Sequence, residues 1–187
     1  MLTMPQQRTD RAIDDPKVLG EILNRAPVGH LGLSWKDKPY VVPLLFAYKD
    51  RSFYLHSADS GMMMEYLRNN SSVCFEVEEF LSIVPGPLPC KYSNTYRSVI
   101  AFGTAHILTD PDEKTAALRL IVEKYAGEDV AQTLTKDMVE EYRSTLLHRG
   151  TAVFKIRIDQ ITGKRFRTEK TDVSTAASTA LRPSDPP

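Results

Sequence analysis

The spacing of hydrophobic residues along this chain switches between a helical repeat and strand-like runs, and the switches divide it into elements. Residues 1–14 are polar and read as an N-terminal arm. Asp15-Pro16 opens a helix, with Asp at the N-cap and Pro in the first turn. Val18, Leu19, Ile22, Leu23 and Ala26 then recur at helical spacing, and Pro27 ends the element. Four strand-like runs follow, over Val28–Trp35, Tyr40–Tyr48, Ser52–His56 and Ser72–Phe80. Short turns separate the first three, which predicts an antiparallel meander. Between the third and fourth, Gly61–Asn70 reads as a short helix.

Leu81–Asn94 carries Pro85, Gly86, Pro87 and Pro89 and is expected to be a loop. Tyr96–Leu108 is the longest predicted strand. Tyr96, Ile100 and Phe102 lie on one side of it, and Val99, Ala101, Ala105 and Ile107 on the other. Apolar residues on both faces fit a barrel strand that also packs against a helix or a second subunit. Asp110 then starts a helix through Tyr125 with Ala117, Leu120, Ile121 and Tyr125 on its apolar face. A further helix is expected from about Lys136 to Leu147, and a last strand over Thr151–Ile161. Residues 168–187, rich in Ser, Thr, Ala and Pro, are expected to form a disordered tail.

The predicted fold is mainly β with helices: one domain over residues 15–167, built as a six-stranded antiparallel split β-barrel. Closing six short strands on themselves removes their exposed edges. The pattern has no βαβ repeat, which argues against a doubly wound nucleotide-binding fold.

Composition narrows the function. The 187 residues contain 24 basic and 24 acidic side chains, so the formal net charge is zero. That gives no overall attraction to nucleic acid or to an anionic membrane. The expected chain is cytoplasmic, with no membrane-spanning run and no apolar signal core at its N-terminus. Cys74 and Cys90 are too few for a disulfide scaffold. His30, His106 and His148 fall on separate elements, and no Cys/His cluster suggests a metal. GxGxxG, GxxxxGK[ST] and GxSxG patterns are absent.

The informative segment runs from Tyr54 to Leu67, a strand, a polar turn and a helix. Ser57, Asp59 and Ser60 suit helix capping, and Gly61 lets backbone approach a ligand. A strand-to-helix turn of this kind is either an ordinary capped helix or a phosphate site at the positive end of a helix dipole. His56 lies at the strand end on the same face as Tyr54. It is either a structural hydrogen-bonding residue or a group in contact with ligand. Thr162–Arg167 is a short basic run after the last predicted strand, read either as a solvated strand end or as a phosphate or substrate contact.

Five motifs in order resemble the pyridoxamine 5′-phosphate oxidase-like superfamily, nearest to its nitroimidazole-resistance (Nim-type) branch. They are Tyr54–Ala58, Val73–Val77, Tyr96–Gly103, Asp110–Lys114 and Ile161–Lys164, and the resemblance spans about residues 15–166. It implies a homodimer of FMN-binding split barrels, with FMN in a cleft between subunits. The carried-over FMN contacts are His56, Ser57 and Ala58 at the turn, Tyr96, Arg97 and Ser98 on the long strand, and Val42 and Pro43 beside the flavin ring. The family usually places a Lys at the position of Met63, where it meets the phosphate. Without that cation the site loses a charge-assisted contact of about 1.5–3 kcal/mol, unless Arg97, Arg68, Lys91 or Lys164 supplies the charge.

These readings together lead to the expectation of a flavin-dependent oxidoreductase of a small-molecule substrate, with His56 as proton donor or substrate anchor. Nitroimidazole reductase-like chemistry is the implied model. The alternative is a non-catalytic dimeric protein of the same fold that binds flavin or another small ligand.

Overall fold

The computed structural model describes residues 8–144 and 148–167. The expected tail therefore lies outside the described residues, as do the first half of the arm and residues 145–147. The strands are β1 (Ala12–Ile13), β2 (Gly29–Trp35), β3 (Lys38–Leu44), β4 (Phe46–Lys49), β5 (Ser52–Ala58), β6 (Ser72–Val84), β7 (Ser93–Ile107) and β8 (Thr151–Phe166). The helices are α1 (Pro16–Arg25), α2 (Met62–Asn69), α3 (Pro111–Ala126), α4 (Glu128–Gln132) and α5 (Lys136–Glu141).

All strand pairs are antiparallel, in the order β3-β2-β6-β7-β8-β5-β4, with β1 added to β8. The predicted run Tyr40–Tyr48 is divided at Leu45. Its first half pairs with β2 and its second half with β5. The two ends of the hydrogen-bonded path are thus consecutive in the chain. One bent segment brings the sheet round on itself without a ladder between β3 and β4, as expected for a split barrel. The sheet thus has eight strands where six were predicted, because the second predicted strand breaks at Leu45 and the two-residue β1 is added, and no ladder closes it.

The inward residues make the core. Leu31, Phe46, Phe53, Leu55, Phe75, Val77, Val99, Phe154 and Ile156 are all buried. Phe46, Phe53 and Phe75 stack on one another with centroids 4.5–5.8 Å apart. Helix α1 lies against the barrel through Leu19, Ile22 and Leu23, and its Asp15 carboxylate accepts from the Lys17 N–H at 2.9 Å. Gly163 makes this approach possible, because a Cβ there would collide with Leu19.

Three boundaries differ from expectation. The loop after β6 contracts to residues 85–92, since Val84 pairs with Ser93 and Ile83 with Asn94. The prolines sit only in that tip, where no ladder N–H is needed. Strand β8 continues to Phe166, so the basic run is strand and not its solvated end. Helix α5 stops at Glu141, and the Tyr142 N–H bonds the Met138 carbonyl. No described helix is long and apolar enough to cross a membrane.

Candidate functional site

The turn after β5 opens into a cleft of about 470 Å³, within the roughly 300–1,000 Å³ usual for small-molecule sites. His56, Ser57 and Ala58 form one wall. Leu118 of α3, Leu134, and Val139 and Met138 of α5 add apolar lining, and Arg149, Gly150 and Thr151, the last paired with Ala58, line it as well. His56 reaches this cleft because Phe53 and Leu55 point into the barrel, which turns Tyr54 and His56 outward toward α3.

Burial pushes the His56 imidazole below its ordinary pKa, so at pH 7 it is neutral. Its Nδ1 is buried without a hydrogen-bond partner. Ser57 is directed inward, donating to the Ala58 carbonyl at 2.9 Å with Met64 Sδ 3.5 Å away.

The polar turn does not cap α2, contrary to what its residue types suggest. Gly61 stands at the N-cap in the left-handed region (φ 106°) with no side-chain cap bond. Instead the Asp59 carboxylate accepts from the Gly150 N–H at 3.1 Å, and the Asp59 N–H donates back to the Gly150 carbonyl. The Arg149 guanidinium donates to Ser60 Oγ. The turn is thus fastened to the segment leading into β8, and the first N–H groups of α2 lack a side-chain acceptor.

Of the three consecutive methionines Met62–Met64, Met64 is fully buried, Met63 packs half-buried against the core and Met62 is exposed. Arg68 donates to the Asp59 carbonyl at 2.8 Å. Sequence reasoning missed Arg149, as it did the cleft's apolar lining from α3 and α5. Arg149 lies 89 positions from Ser60, and no local pattern links them.

The other predicted contacts fall elsewhere. Tyr96, Ser98 and Lys164 come together on the outward face of β7 and β8, where Tyr96 faces Phe166 and Ser98 faces Lys164. Arg11 joins them, with its guanidinium 4.2 Å from the Phe166 ring centroid and 3.5 Å from the Tyr96 hydroxyl. His56 pairs with Val153, whereas Ser98 pairs with Lys164 at the other end of the same strand. That offset amounts to roughly 35 Å along β8 at about 3.3 Å per residue.

Arg97 is not among this group. It points inward, is buried, and forms an ion pair with Glu79. It is therefore not a free phosphate cation. Val42 is half-buried and Pro43 exposed on β3, facing Leu31 and His30 of β2. Lys91 lies exposed at the β6–β7 tip. Burial raises the Cys74 thiol pKa, with the nearby Glu76 charge adding to it, so Cys74 is a poor nucleophile. Among the described residues no His/Cys/Asp/Glu group could hold a metal ion.

Comparison with known proteins supports this architecture. A candidate 5-nitroimidazole antibiotic resistance protein from Bacteroides thetaiotaomicron is 31% identical, with a TM-score of 0.63 over 83% of this chain and 86% of that one. A FAD-binding protein from Mesorhizobium loti is 25% identical, with a TM-score of 0.55 over 84% of this chain and 98% of that one. A flavocytochrome from Azotobacter vinelandii shares the fold at 19% identity, with a TM-score of 0.71 over 98% and 87%. No curated protein matches the chain. The family model described as pyridoxamine 5′-phosphate oxidase matches residues 15–165. Matched over most of its length, this chain belongs to the pyridoxamine 5′-phosphate oxidase family.

Proposed function

We propose that the protein is a homodimeric FMN-dependent oxidoreductase that reduces a small molecule, with nitroaromatic compounds as the model substrates. The observation that carries this reading is the cleft at the turn from His56 to Ala58. It joins apolar side chains suited to a planar ring with Arg149, whose guanidinium donates to Ser60 in the turn just before the uncapped start of α2. Two features fit a bound flavin in particular. His56 Nδ1 is buried with no partner, and the α2 N–H groups have no side-chain acceptor. A polar, anionic ligand satisfies both.

A bound flavin supplies the electron or hydride transfer. The chain's residues bind and orient. Arg149 and the α2 start take the phosphate, replacing the cation absent at Met63. His56 acts in its neutral form, holding a polar ligand atom through one ring nitrogen and able to pass a proton from the other.

The two clusters of predicted contacts also favour a dimer. One flavin cannot reach both ends of β8 within a single protomer. Two copies joined by the sheet can place Tyr96, Ser98 and Lys164 of one beside the turn of the other. The outward sheet face is suited to such an interface, since Val41, Ile100 and Phe102 are exposed on it.

Absorbance of the purified protein and the mass of the ligand released on denaturation test the reading. A flavin band and the mass of FMN are expected, and FAD in its place would correct the cofactor alone. Colourless protein that takes up no added flavin would sink the proposal. Reduction of a nitroimidazole by loaded protein with a chemical or nicotinamide reductant is expected. Flavin bound without any turnover would leave the non-catalytic binding protein as the better account.

A further inference from the structure

Strands β6 and β7 run on past the barrel. The last pair that β8 makes with β7 is Phe166 with Tyr96, and β2 pairs with β6 only at Cys74–Glu76. Beyond these, Ser82, Ile83 and Val84 pair with Thr95, Asn94 and Ser93 and with no other described strand. The three pairs carry a two-stranded arm roughly 10 Å further at about 3.3 Å per residue, and residues 85–92 close its tip. A lone two-stranded ribbon is marginal in water. Phe80, Leu81, Ile83, Leu88 and Tyr92 are nevertheless all exposed on this arm. Lys91 is the one charged residue from Phe80 to Tyr96. Large apolar side chains with almost no charge have the composition of the buried centre of a protein interface.

A second exposed apolar patch lies at the other end of β8. Val130 of α4, Met138 of α5 and Tyr142 just after it are exposed. Met138 and Tyr142 line the same cleft as Thr151, where β8 begins. The arm thus stands beyond the last residues of β8, and the patch stands at its first. A single protomer keeps the two apart by the length of that strand. Two protomers do not. When two sheet faces pack about a two-fold axis with their β8 strands antiparallel, the Phe166 end of each strand overlies the Thr151 end of the other. Each arm then continues past that end onto the partner's α4 and α5. The contact forms twice, because a two-fold interface is isologous.

We propose that the β6–β7 arm of each protomer docks on α4 and α5 of its partner and covers the mouth of the partner's cleft. The inference rests on the dimer proposed above, and it adds what each site takes from the second chain. The apolar side chains of the arm and of the α4–α5 patch remove each other from water. The cleft that holds His56 and Arg149 is covered only in the dimer.

Cys90 lies exposed at the tip of the arm and provides a native handle for the test. The full chain is labelled with benzophenone-maleimide, irradiated and run on a denaturing gel. Peptide mass mapping separates links made from Cys90 from any made at the half-buried Cys74. A covalent dimer is expected, with Cys90 joined to peptides from residues 128–143. If the protein sediments as a dimer but Cys90 links only within its own chain, or reaches the partner outside those residues, the arm assignment is overturned and the dimer stands. A monomer in sedimentation overturns both. Ile83→Asp gives a second readout. Ile83 is exposed and its one strand partner is Asn94, so the barrel does not depend on it. With circular dichroism unchanged, the substitution is expected to raise the dimer dissociation constant about tenfold or more and to abolish the Cys90 link. An unchanged dissociation constant would overturn the proposal as well.

Discussion

The partial burial of His56 in the cleft decides what its imidazole can do. The folded pKa lies below the ordinary value of 6.5, so the neutral ring is favoured in the native state and protonation favours unfolding. The stability this provides is complete above about pH 6.5 and falls as pH drops toward the folded value. His56→Gln should flatten that acid loss in a denaturation series from pH 7 to pH 5, and should lower turnover more than flavin affinity. Lys124 has the same sign at alkaline pH. Its folded pKa of about 8 lies below the unfolded value of 10.5, so its contribution to stability should rise between those limits. In Lys124→Met that rise should be absent from melting curves. Arg149 and Met63 form the other pair to test. Arg149→Gln should weaken FMN binding about 10- to 100-fold and leave riboflavin, which lacks the phosphate, almost unaffected. Met63→Lys, at the position where the family carries its cation, should recover much of that loss. An equal fall for both flavins in fluorescence titration would show that Arg149 only holds the turn.

At the scale of elements, one irregularity orders the long β7–β8 ladder. Phe102 pairs with Gln160 and Gly103 with Ile158, which leaves Asp159 as an extra residue in β8. The inward side of β8 therefore changes parity. Phe154, Ile156 and Ile158 face the core before the bulge, and Ile161 and Gly163 after it. The predicted strand over Thr151–Ile161 captured the first set. Beyond it the bulge turns Thr162 and Lys164 outward, which is how Lys164 comes to face Ser98. Gly103 sustains this close passage, because a Cβ there would collide with the Arg157 carbonyl oxygen. Backbone cannot yield as a flexible side chain does, so Gly103→Ala should cost about 1–3 kcal/mol in chemical denaturation. The neighbouring Ala101→Gly, which adds no atoms, provides the control for a general loss of strand propensity.

At the scale of the whole molecule, the sheet exposes a face that a lone protomer leaves in water. Val41 faces Gly32, Gly32 faces Cys74 and Cys74 faces Phe102 across four strands, so these side chains form one outward row. Val41 is 61% and Phe102 46% exposed, with Ile100 in the next row. His30 and Glu76 pair in that same row at 3.1 Å, and burial raises the Glu76 pKa. A charge placed in the centre of this face should be unfavourable in an interface and harmless in water. Phe102→Asp should therefore convert the proposed dimer to monomer in sedimentation, with its circular dichroism unchanged. Wild-type protein that sediments as a monomer would remove the interface, and with it the assembly of the two contact clusters into one site.

The sequence by itself determined the order of the main elements, the mainly antiparallel split-barrel class, the capped starts of α1 and α3, and the family. Each depends on residues close together in the chain: hydrophobic alternation, Asp-Pro caps, and motifs of a few positions. It also made the turn from His56 to Ala58 the place to look. Tertiary structure decided the rest. It turned Arg97 inward onto Glu79, held Asp59 and Ser60 to the Arg149–Gly150 segment instead of α2, and drew the loop after β6 into two strands. It also placed Tyr96, Ser98 and Lys164 at the opposite end of β8 from the turn that holds His56. Each of these depends on which distant strands pair and in what register. A shift of one residue moves every side chain to the opposite face, and the pattern within a single strand does not specify the partner that sets it.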